Sequence, residues 1–387
     1  MIRFSGISKE LEAQVLRWQH ELHTIPEVGF QEFETTEYLK KVLEGLDGVQ
    51  ISQPTPTGLV AELKGGKPGK TVAYRTDIDA LPITEAENHE VRSIHEGVMH
   101  ACGHDGHTSM LLGAARAFKL GELKSAYNLR FAFQPAEEMY GGAARMIAAG
   151  VLPEHLAGAF GFHLWPQVPY GKFGWRKGTL MASNDRFTIT ITGKGAHAAM
   201  QNAGKNALQA GAMLALELPR LSSRILSPSR AALIFVGTMN AGSGYNIVAD
   251  RCTMEGTCRA LTPEDRDAIE AGIKELASGI AALYGVQIEV EYVRQYPPLL
   301  THESAADEIR KIFPENLLWE APEPFMTAED FAYFTEKVNG GMLLLGTGRE
   351  DYPNPLHSSR FTFDENLMAL GVKAYGILAN GQWGDAR

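Results

Sequence analysis

The chain has 387 residues, of which 44% are hydrophobic and 21% charged, as in an ordinary globular protein with material for two or three domains. The net charge of −10 and the lack of a Lys/Arg cluster argue against a nucleic-acid partner. No apolar run reaches membrane-spanning length, the N-terminus lacks a signal-peptide core, and three cysteines cannot form a disulfide framework. We therefore expect a cytoplasmic protein with reduced thiols and no membrane partner.

The first part of the chain predicts helices, then strands alternating with helices. The helices are expected at about 8–23, 31–46, 109–118 and 143–149, and the strands at 57–63, 71–76, 128–134 and 157–162. The first two strands form a predicted pair around the glycine-rich turn at 65–69. This turn lacks the spacing of a phosphate loop and precedes a strand, so no nucleotide site is expected.

The segment His100–His107 concentrates side chains that bind metals. It holds three histidines, one cysteine and one aspartate, and these groups are preferred by zinc and related transition metals. Cys102 and His104 are two residues apart and cannot share a helical face, but Gly103 and Gly106 allow the backbone to turn so that they converge. The sequence therefore predicts a metal site here.

A helix is expected directly after this cluster, with Asp105 or Thr108 as its N-cap, so the cluster is placed on a loop that enters a helix. The main alternative is a cysteine nucleophile, in which a neighbouring histidine activates Cys102. That alternative predicts no further metal ligands elsewhere in the chain.

Polar residues at the ends of other strands favour the metal site. Alternating strands and helices predict a largely parallel sheet with helices on both faces, and ligands bind such sheets at the carboxyl ends of the strands. The residues expected at those ends are Asp77, Asp79, Glu137, Glu138 and His163. His357 follows a later apolar strand at 341–345 in the same way. Several strands thus direct polar groups to one edge.

The pattern changes between residues 183 and 294. Strands at about 186–192, 231–239, 246–259 and 286–293 and helices at 205–224 and 263–283 give the order β-α-β-β-α-β of a ferredoxin-like layer. We interpret 183–294 as an inserted domain whose exposed sheet edge invites pairing into a homodimer. Residues 1–182 and 295–387, with further helices at 304–312 and 364–380, would form one discontinuous catalytic domain.

Seven motifs occur in order along nearly the whole chain. They are HxxPE at 23–27, DIDALP at 77–82, MHACGHDGH at 99–107, FQPAEE at 133–138, GKGAHAA at 193–199, MTAEDF at 326–331 and LHSS at 356–359. Together they resemble the metal-dependent aminoacylase and carboxypeptidase family. The branch that they resemble contains hippurate hydrolases, N-acyl-amino-acid amidohydrolases and plant auxin-conjugate hydrolases. The resemblance implies a zinc-exopeptidase-like catalytic domain with an inserted dimerisation domain.

The resemblance also implies a ligand set for two divalent metal ions. In the branch that the motifs resemble, the ligands would be Cys102, His104, Glu138, His163 and His357. The ions would be zinc or manganese, with cobalt or nickel as alternatives, since thiolate, imidazole and carboxylate together suit all of these. The Cys102 thiolate could be shared between two ions. Asp77 stands where relatives outside this branch carry a histidine, and His100 and His107 are expected to be structural.

The same resemblance implies roles for five other residues. Glu137 would be the general base that takes a proton from the attacking water and passes it to the leaving amine. Asp79 would orient a ligand, and His197 would reach the site of a partner subunit and stabilise the oxyanion. Asn246 and Arg259 would hold the substrate carboxylate, although the motifs around them depart from the usual family pattern.

The resulting prediction is a two-metal amidohydrolase that cleaves a small N-acyl amino acid into a carboxylic acid and a free amino acid. A dipeptidase or a biosynthetic deacetylase of the same family is the second interpretation. A catalytically silent binding protein on the same fold is the third, and it is disfavoured because the five ligands and Glu137 are all present.

Overall fold

The computed structural model describes residues 6–65, 70–87, 89–154 and 156–384, so most of the glycine-rich turn predicted at 65–69 lies outside the described residues. The chain divides into two compact units. The first comprises Met1–Leu180, Leu300–Glu323 and Asp330–Arg387, and the second comprises Met181–Leu299 and Pro324–Glu329. No described helix combines the length and apolar character needed to cross a membrane.

The described residues form the following elements. The helices are α1 Lys9–Thr24, α2 Phe33–Glu44, α3 His104–Leu120, α4 Glu137–Tyr140, α5 Gly142–Ala148, α6 Ala207–Ile225, α7 Pro263–Tyr284, α8 Glu303–Ile312, α9 Ala332–Thr335 and α10 Leu367–Leu378, with short 3-10 turns at Ala198–Ala203 and Glu315–Leu317. The strands are β1 Gln50–Ser52, β2 Leu59–Leu63, β3 Thr71–Asp77, β4 Asn128–Gln134, β5 Leu156–Pro169, β6 Phe173–Trp175, β7 Gly178–Met181, β8 Asp185–Thr192, β9 Ala196–His197, β10 Ala232–Ala241, β11 Ile247–Val248, β12 Arg251–Ala260, β13 Gln287–Arg294, β14 Leu299–Thr301, β15 Leu318–Glu320 and β16 Gly340–Gly348.

A mixed sheet forms the centre of the first unit. Its strand order is β1-β2-β4-β3-β5-β16-β6-β15, and the four central strands β4, β3, β5 and β16 are parallel neighbours. Strands β3, β5 and β16 are almost continuously buried, as expected for parallel strands whose two faces are both covered by helices. This architecture confirms the predicted α/β class with a mostly parallel sheet.

The predicted pairing of the first two long strands is wrong. Strand β2 does not pair with β3, because β4 lies between them, antiparallel to β2 and parallel to β3. The reason is burial: β3 is buried along nearly its whole length, and its backbone groups need partners on both edges. Strands β4 and β5 supply them, and β2 takes the remaining edge of β4.

Two predicted boundaries near the ligand candidates are also corrected. Helix α3 begins at His104, so neither Asp105 nor Thr108 is its cap; Gly103 precedes it with φ +83°, a left-handed conformation that favours glycine. The predicted loop therefore ends at Gly103, and the later residues of the cluster are helical. Strand β5 continues to Pro169 because it pairs with β16 through this region, so His163 lies within the strand and not beyond it.

The second unit contains a four-stranded antiparallel sheet with the order β10-β12-β8-β13. Its long elements follow the chain order β8-α6-β10-β12-α7-β13, which confirms the predicted β-α-β-β-α-β arrangement. Along β8 the alternate residues Phe187, Ile189 and Ile191 are buried in a core shared with both helices. The predicted strand at 246–259 is in fact two strands, the short β11 and the long β12. The roles predicted for the two domains, catalysis and dimerisation, stay predictions.

Candidate metal centre

The central strands of the first unit bring the predicted ligands to one place. Strand β3 ends at Asp77, β4 leads into α4 with its two glutamates, and β5 carries His163. His357 follows β16, and His104 opens α3 two residues after Cys102. Neighbouring parallel strands end at the same edge of a sheet, so segments that are far apart in sequence meet there.

The five predicted ligands form one connected cluster. The Cys102 Sγ atom lies 3.5 Å from the His163 Nε2 atom. The Glu138 Oε1 atom lies 3.3 Å from His357 Nε2 and 3.8 Å from His104 Nε2. Donor atoms of Cys102, Glu138 and His357 all lie within 4.8 Å of one another. Cys102, His104 and His163 are buried, the Glu138 side chain is 8% exposed and His357 is half exposed, so the cluster has one side that is open to solvent.

Backbone groups and a carboxylate fix the orientation of the cluster. The Nδ1–H group of His104 donates to the carbonyl oxygen of Asp79 at 2.8 Å, and the Nδ1–H group of His163 donates to that of Leu164 at 2.7 Å. Each imidazole is thereby left with Nε2 facing the other donors. The Asp79 carboxylate accepts the backbone N–H of Glu138 at 3.0 Å. Holding the far nitrogen of a histidine with an oxygen atom is how proteins orient metal ligands.

The donors fit divalent cations. The Nε2 atom of His104 is buried and has no hydrogen-bond partner among the described residues, and the buried Oε1 atom of Glu138 faces it at 3.8 Å and contacts His357 Nε2 at 3.3 Å. An unsatisfied buried polar group is costly, and a cation between these two atoms would satisfy both. Thiolate, imidazole and carboxylate are ligands of zinc, and they are compatible with manganese, cobalt and nickel. The residues present therefore suit a metal centre.

The alternative of a cysteine nucleophile is disfavoured by electrostatics. Burial raises the pKa of the Cys102 thiol, and the nearby Glu138 and Glu137 carboxylates raise it further. A nucleophilic cysteine needs the opposite, a cationic environment that lowers its pKa. A metal ligand does not, because the bound cation itself stabilises the thiolate.

Two residues of the centre have backbone conformations that are rare for residues other than glycine. Ala136, directly before Glu137, has φ +54°, and His357 has φ +64°. The Ala136 N–H donates to the buried Glu32 carboxylate at 2.8 Å, and the His357 N–H donates to the Ala101 carbonyl at 2.8 Å. Strained backbone of this kind persists only where the surroundings hold it, and it clusters at functional sites. Burial and the Asp79 charge raise the pKa of Glu32 to about 7.

A buried ion network beneath the centre was not predicted from the sequence. The Arg75 guanidinium donates to Gln134 Oε1 at 2.8 Å, to Asp77 Oδ2 at 2.9 Å and to Asp330 Oδ1 at 2.6 Å, and all four side chains are buried. An arginine directly after the apolar run Val72-Ala-Tyr74 of a predicted buried strand is a signal that could have found it, because a buried charge must be paired.

His107 belongs to this supporting network. Its Nδ1–H donates to Asp77 Oδ1 at 2.7 Å, and its Nε2 accepts the Leu164 N–H at 2.8 Å. Both ring nitrogens are thus engaged, as befits a structural residue. Burial raises the pKa of Asp77, but the charges of His104, His107 and Arg75 outweigh it and hold this pKa well below the usual range.

The other predicted site residues belong to the second unit. His197 ends β9, is exposed, and accepts the Ala199 N–H on its Nδ1 atom at 3.1 Å. Strand β9 pairs with β11, and the Ala198 N–H donates to the Asn246 carbonyl at 3.0 Å, so His197 and Asn246 are neighbours. Arg259 lies on β12 and donates to the Asn184 side chain.

Comparisons with known proteins identify the family of this chain. The model of peptidase family M20/M25/M40 matches residues 73–380. The chain is 36% identical over 380 residues to an N-acetylcysteine deacetylase of Bacillus subtilis, covering 96% of this chain and 97% of the relative. It is 35% identical over 380 residues to thermostable carboxypeptidase 2 of Saccharolobus solfataricus, covering 96% of each.

A solved structure has the same fold throughout. It is a Bacillus subtilis protein described as a dinuclear metal-binding peptidase of the M20 family, 32% identical, with a TM-score of 0.84 and coverage of 96% of this chain and 98% of that one. The family match extends over most of the chain, and the relatives extend over nearly all of it. The chain therefore belongs to peptidase family M20/M25/M40 and is a metal-dependent hydrolase of amide bonds.

Proposed function

We propose that this enzyme removes the acyl group from small N-acyl amino acids, using two divalent metal ions held by the five clustered ligands. The observation that carries the proposal is the buried His104 Nε2 atom, which has no hydrogen-bond partner among the described residues and lies in a cluster with the Glu138 carboxylate, a thiol and two more imidazoles. Glu137 stands beside this cluster at the start of α4, so a base accompanies the ligands.

The adjacent residues Glu137 and Glu138 have different roles in the proposed mechanism. When bound, the metal ions would polarise the substrate carbonyl and acidify a water molecule that attacks it. Glu138 contributes its carboxylate to the ligand cluster, while Glu137, 6% exposed, takes the proton from the attacking water. Glu137 then delivers that proton to the amine nitrogen as the C–N bond breaks, so the products are a carboxylic acid and a free amino acid.

We assign the remaining functional residues to the second unit. His197 would donate a hydrogen bond to the oxyanion, in the active site of a partner subunit, and Asn246 and Arg259 would hold the substrate carboxylate. Its exposure and its position beside Asn246 support this role for His197.

In this proposal, dimerisation places His197 in the active site of the partner subunit. The edge strand β10 exposes large apolar side chains, including Phe235 at 56%, whereas the opposite edge, β13, exposes the charged residues Glu289 and Glu291. Charged side chains on an edge strand disfavour its pairing with a strand of another chain, and exposed apolar side chains favour it. This contrast supports a homodimer through β10. A mixture of inactive His197→Ala and Glu137→Gln chains should regain activity after subunit exchange. Absence of recovery after verified exchange would exclude a shared site.

The relatives support a choice of substrate class. A deacetylase of an N-acetyl amino acid and a carboxypeptidase both resemble this chain throughout. We favour N-acyl amino acids with a small acyl group, in the cytoplasm, over hippurate-like substrates with an aromatic acyl group. Turnover of N-acetyl, N-benzoyl, N-indoleacetyl and long-chain acyl amino acids, and of dipeptides, distinguishes the candidates. Faster hydrolysis of dipeptides than of every N-acyl amino acid would replace this substrate class with a dipeptidase.

The role of Glu137 provides the test of the mechanism. Glu137→Gln removes the base and keeps the ligands, so metal content should stay near two ions per chain while kcat falls about a hundredfold to ten-thousandfold. Glu44→Gln, the same change at an exposed position at the end of α2, should leave both unchanged. Metal content near two with activity within about tenfold of wild type would exclude Glu137 as the base, since general base catalysis contributes more than that.

A further inference from the structure

The first unit holds a second group of metal-binding side chains that includes none of the five ligands above. His23, Glu85 and His89 each offer one donor atom, and these atoms lie within 4.8 Å of one another. The Glu85 Oε1 atom is 2.8 Å from His23 Nε2 and 3.3 Å from His89 Nδ1. Each of these side chains is at most 9% exposed. Three donors therefore converge where solvent has little access.

The spacing suits a tetrahedral metal ion. Donors at about 2.0–2.1 Å from zinc in a tetrahedral arrangement are separated from one another by roughly 3.3 Å. The distance from Glu85 to His89 already has this value, and the shorter distance to His23 is that of a hydrogen bond. A small outward shift of one imidazole would admit an ion in place of a proton.

A hydrogen bond to the far nitrogen of each imidazole ring fixes the orientation of both histidines. The His23 Nδ1 atom lies 2.8 Å from the Asp105 carboxylate, and the His89 Nε2 atom lies 3.2 Å from the Ser359 carbonyl oxygen. The far nitrogen of each ring thus donates to an oxygen atom, and the near nitrogen, facing Glu85, is left as a ligand. This carboxylate–histidine or carbonyl–histidine arrangement is the usual support of metal-binding imidazoles.

The charges of the cluster also favour a divalent ion. Glu85 and Asp105 bring two negative charges into a buried region. One proton on His23 compensates only one of them, whereas a divalent cation with both imidazoles neutral compensates both. Buried charges are costly unless they are paired, so the doubly charged occupant is the better match.

The cluster joins two parts of the fold. Between the end of β3 at Asp77 and the start of α3 at His104, the described residues form neither helix nor extended strand, and Glu85 and His89 lie in this loop. His23 belongs to the last turn of α1. Irregular loops of this length are uncommon unless something holds them.

We propose that His23, Glu85 and His89 bind an additional divalent metal ion of the zinc class, with solvent as a fourth ligand, which fastens this loop to α1. A cavity of about 1040 Å³, lined in part by His23 and His89, gives the ion and its solvent ligand a route of entry. The proposal holds whether or not the other five residues bind two metal ions, because it shares no ligand with them.

The test is metal stoichiometry in the full-length protein. Wild type and His89→Gln are stripped with a chelator and dialysed against a series of fixed free zinc concentrations, and zinc per chain is measured by mass spectrometry. His89→Gln should hold one ion fewer than wild type. The matched control is His95→Gln, a histidine of the same loop whose Nδ1 bonds to the Pro26 carbonyl and which lies outside the cluster; it should bind as wild type does. Because the result is the difference in zinc per chain between two proteins, the number of ions bound by the five ligands proposed above does not affect it.

Equal zinc binding by wild type and His89→Gln at every concentration would overturn the proposal and leave His23 as a protonated ion-pair partner of Glu85 and Asp105. Crystals of the wild-type protein grown with zinc provide a measurement that does not depend on a variant folding. An anomalous-scattering peak should lie between His23 Nε2 and His89 Nδ1, and its absence would equally refute the site.

Discussion

Removal of the Arg75 guanidinium tests whether the buried ion network supports the metal centre. Arg75→Met keeps the length and the apolar stem of the side chain and removes the guanidinium from Asp77 and Asp330. Breaking a buried ion pair by removing one partner costs about 3–5 kcal/mol. Asp330 keeps hydrogen bonds from Gln134 and the Ala143 N–H, so we expect the loss of one such pair and not of two. That loss is a large part of the roughly 5–15 kcal/mol that stabilises a native protein.

Urea unfolding followed by tryptophan fluorescence measures the stability of the first unit, which contains the ion network. The five tryptophans all belong to the first unit, and they are Trp18, Trp165, Trp175, Trp319 and Trp383. The metal-free protein is used, so that changes in metal affinity do not enter the free energy of unfolding. A separate titration should show metal affinity reduced about tenfold to a hundredfold, because the network reaches the residue next to His163 through Asp77, His107 and the Leu164 N–H.

The matched control is Arg349→Met. Arg349 also pairs with two carboxylates, Asp351 and Asp364, but its side chain is 36% exposed, and exposed pairs contribute little. We expect this variant to unfold nearly as wild type does. If Arg75→Met lost less than about 1 kcal/mol, the range of an exposed pair, the network would not support the fold as argued.

Three further outcomes are expected. Cys102→Ser and His357→Ala should each lower metal occupancy at limiting free metal, with activity falling as a consequence; full occupancy in either variant would remove that residue from the ligand set. His197→Ala should lower kcat about a hundredfold to a thousandfold with unchanged metal content, as for loss of one oxyanion donor, and an unchanged kcat would exclude the role. In the metal-free protein, burial lowers the pKa of His23, but its hydrogen bonds to Asp105 and Glu85 outweigh this and raise it to about 10 from 6.5. The stability that this group contributes should therefore be complete below pH 6.5 and decline as the pH rises toward 10, and urea midpoints across that range that did not fall would contradict it.

The sequence predicted those parts of the fold that depend on local pattern. Strand β4 was predicted with its observed bounds, since an apolar run between turn residues is decided by the run itself. The neighbours of a strand depend instead on every other strand that competes for its edges, which is why the pairing of β2 with β3 was predicted and β4 was found between them. Arg75 illustrates the same limit: its partner Asp330 lies 255 residues away, and nothing near Arg75 indicates it.

The densest motif shows why a count of donors does not define a site. The segment His100–His107 predicted one metal centre, but the first turn of α3 points successive residues in different directions, about 100° apart around the helix axis. His104 faces Asp79 and the main centre, whereas Asp105 faces His23 of α1. Without the helix beginning at His104, both side chains would be counted toward the same ion. Because the chain turns at Gly103 and enters α3 at once, one short motif supplies two predicted ligands, Cys102 and His104, to one cluster and a supporting carboxylate, Asp105, to another.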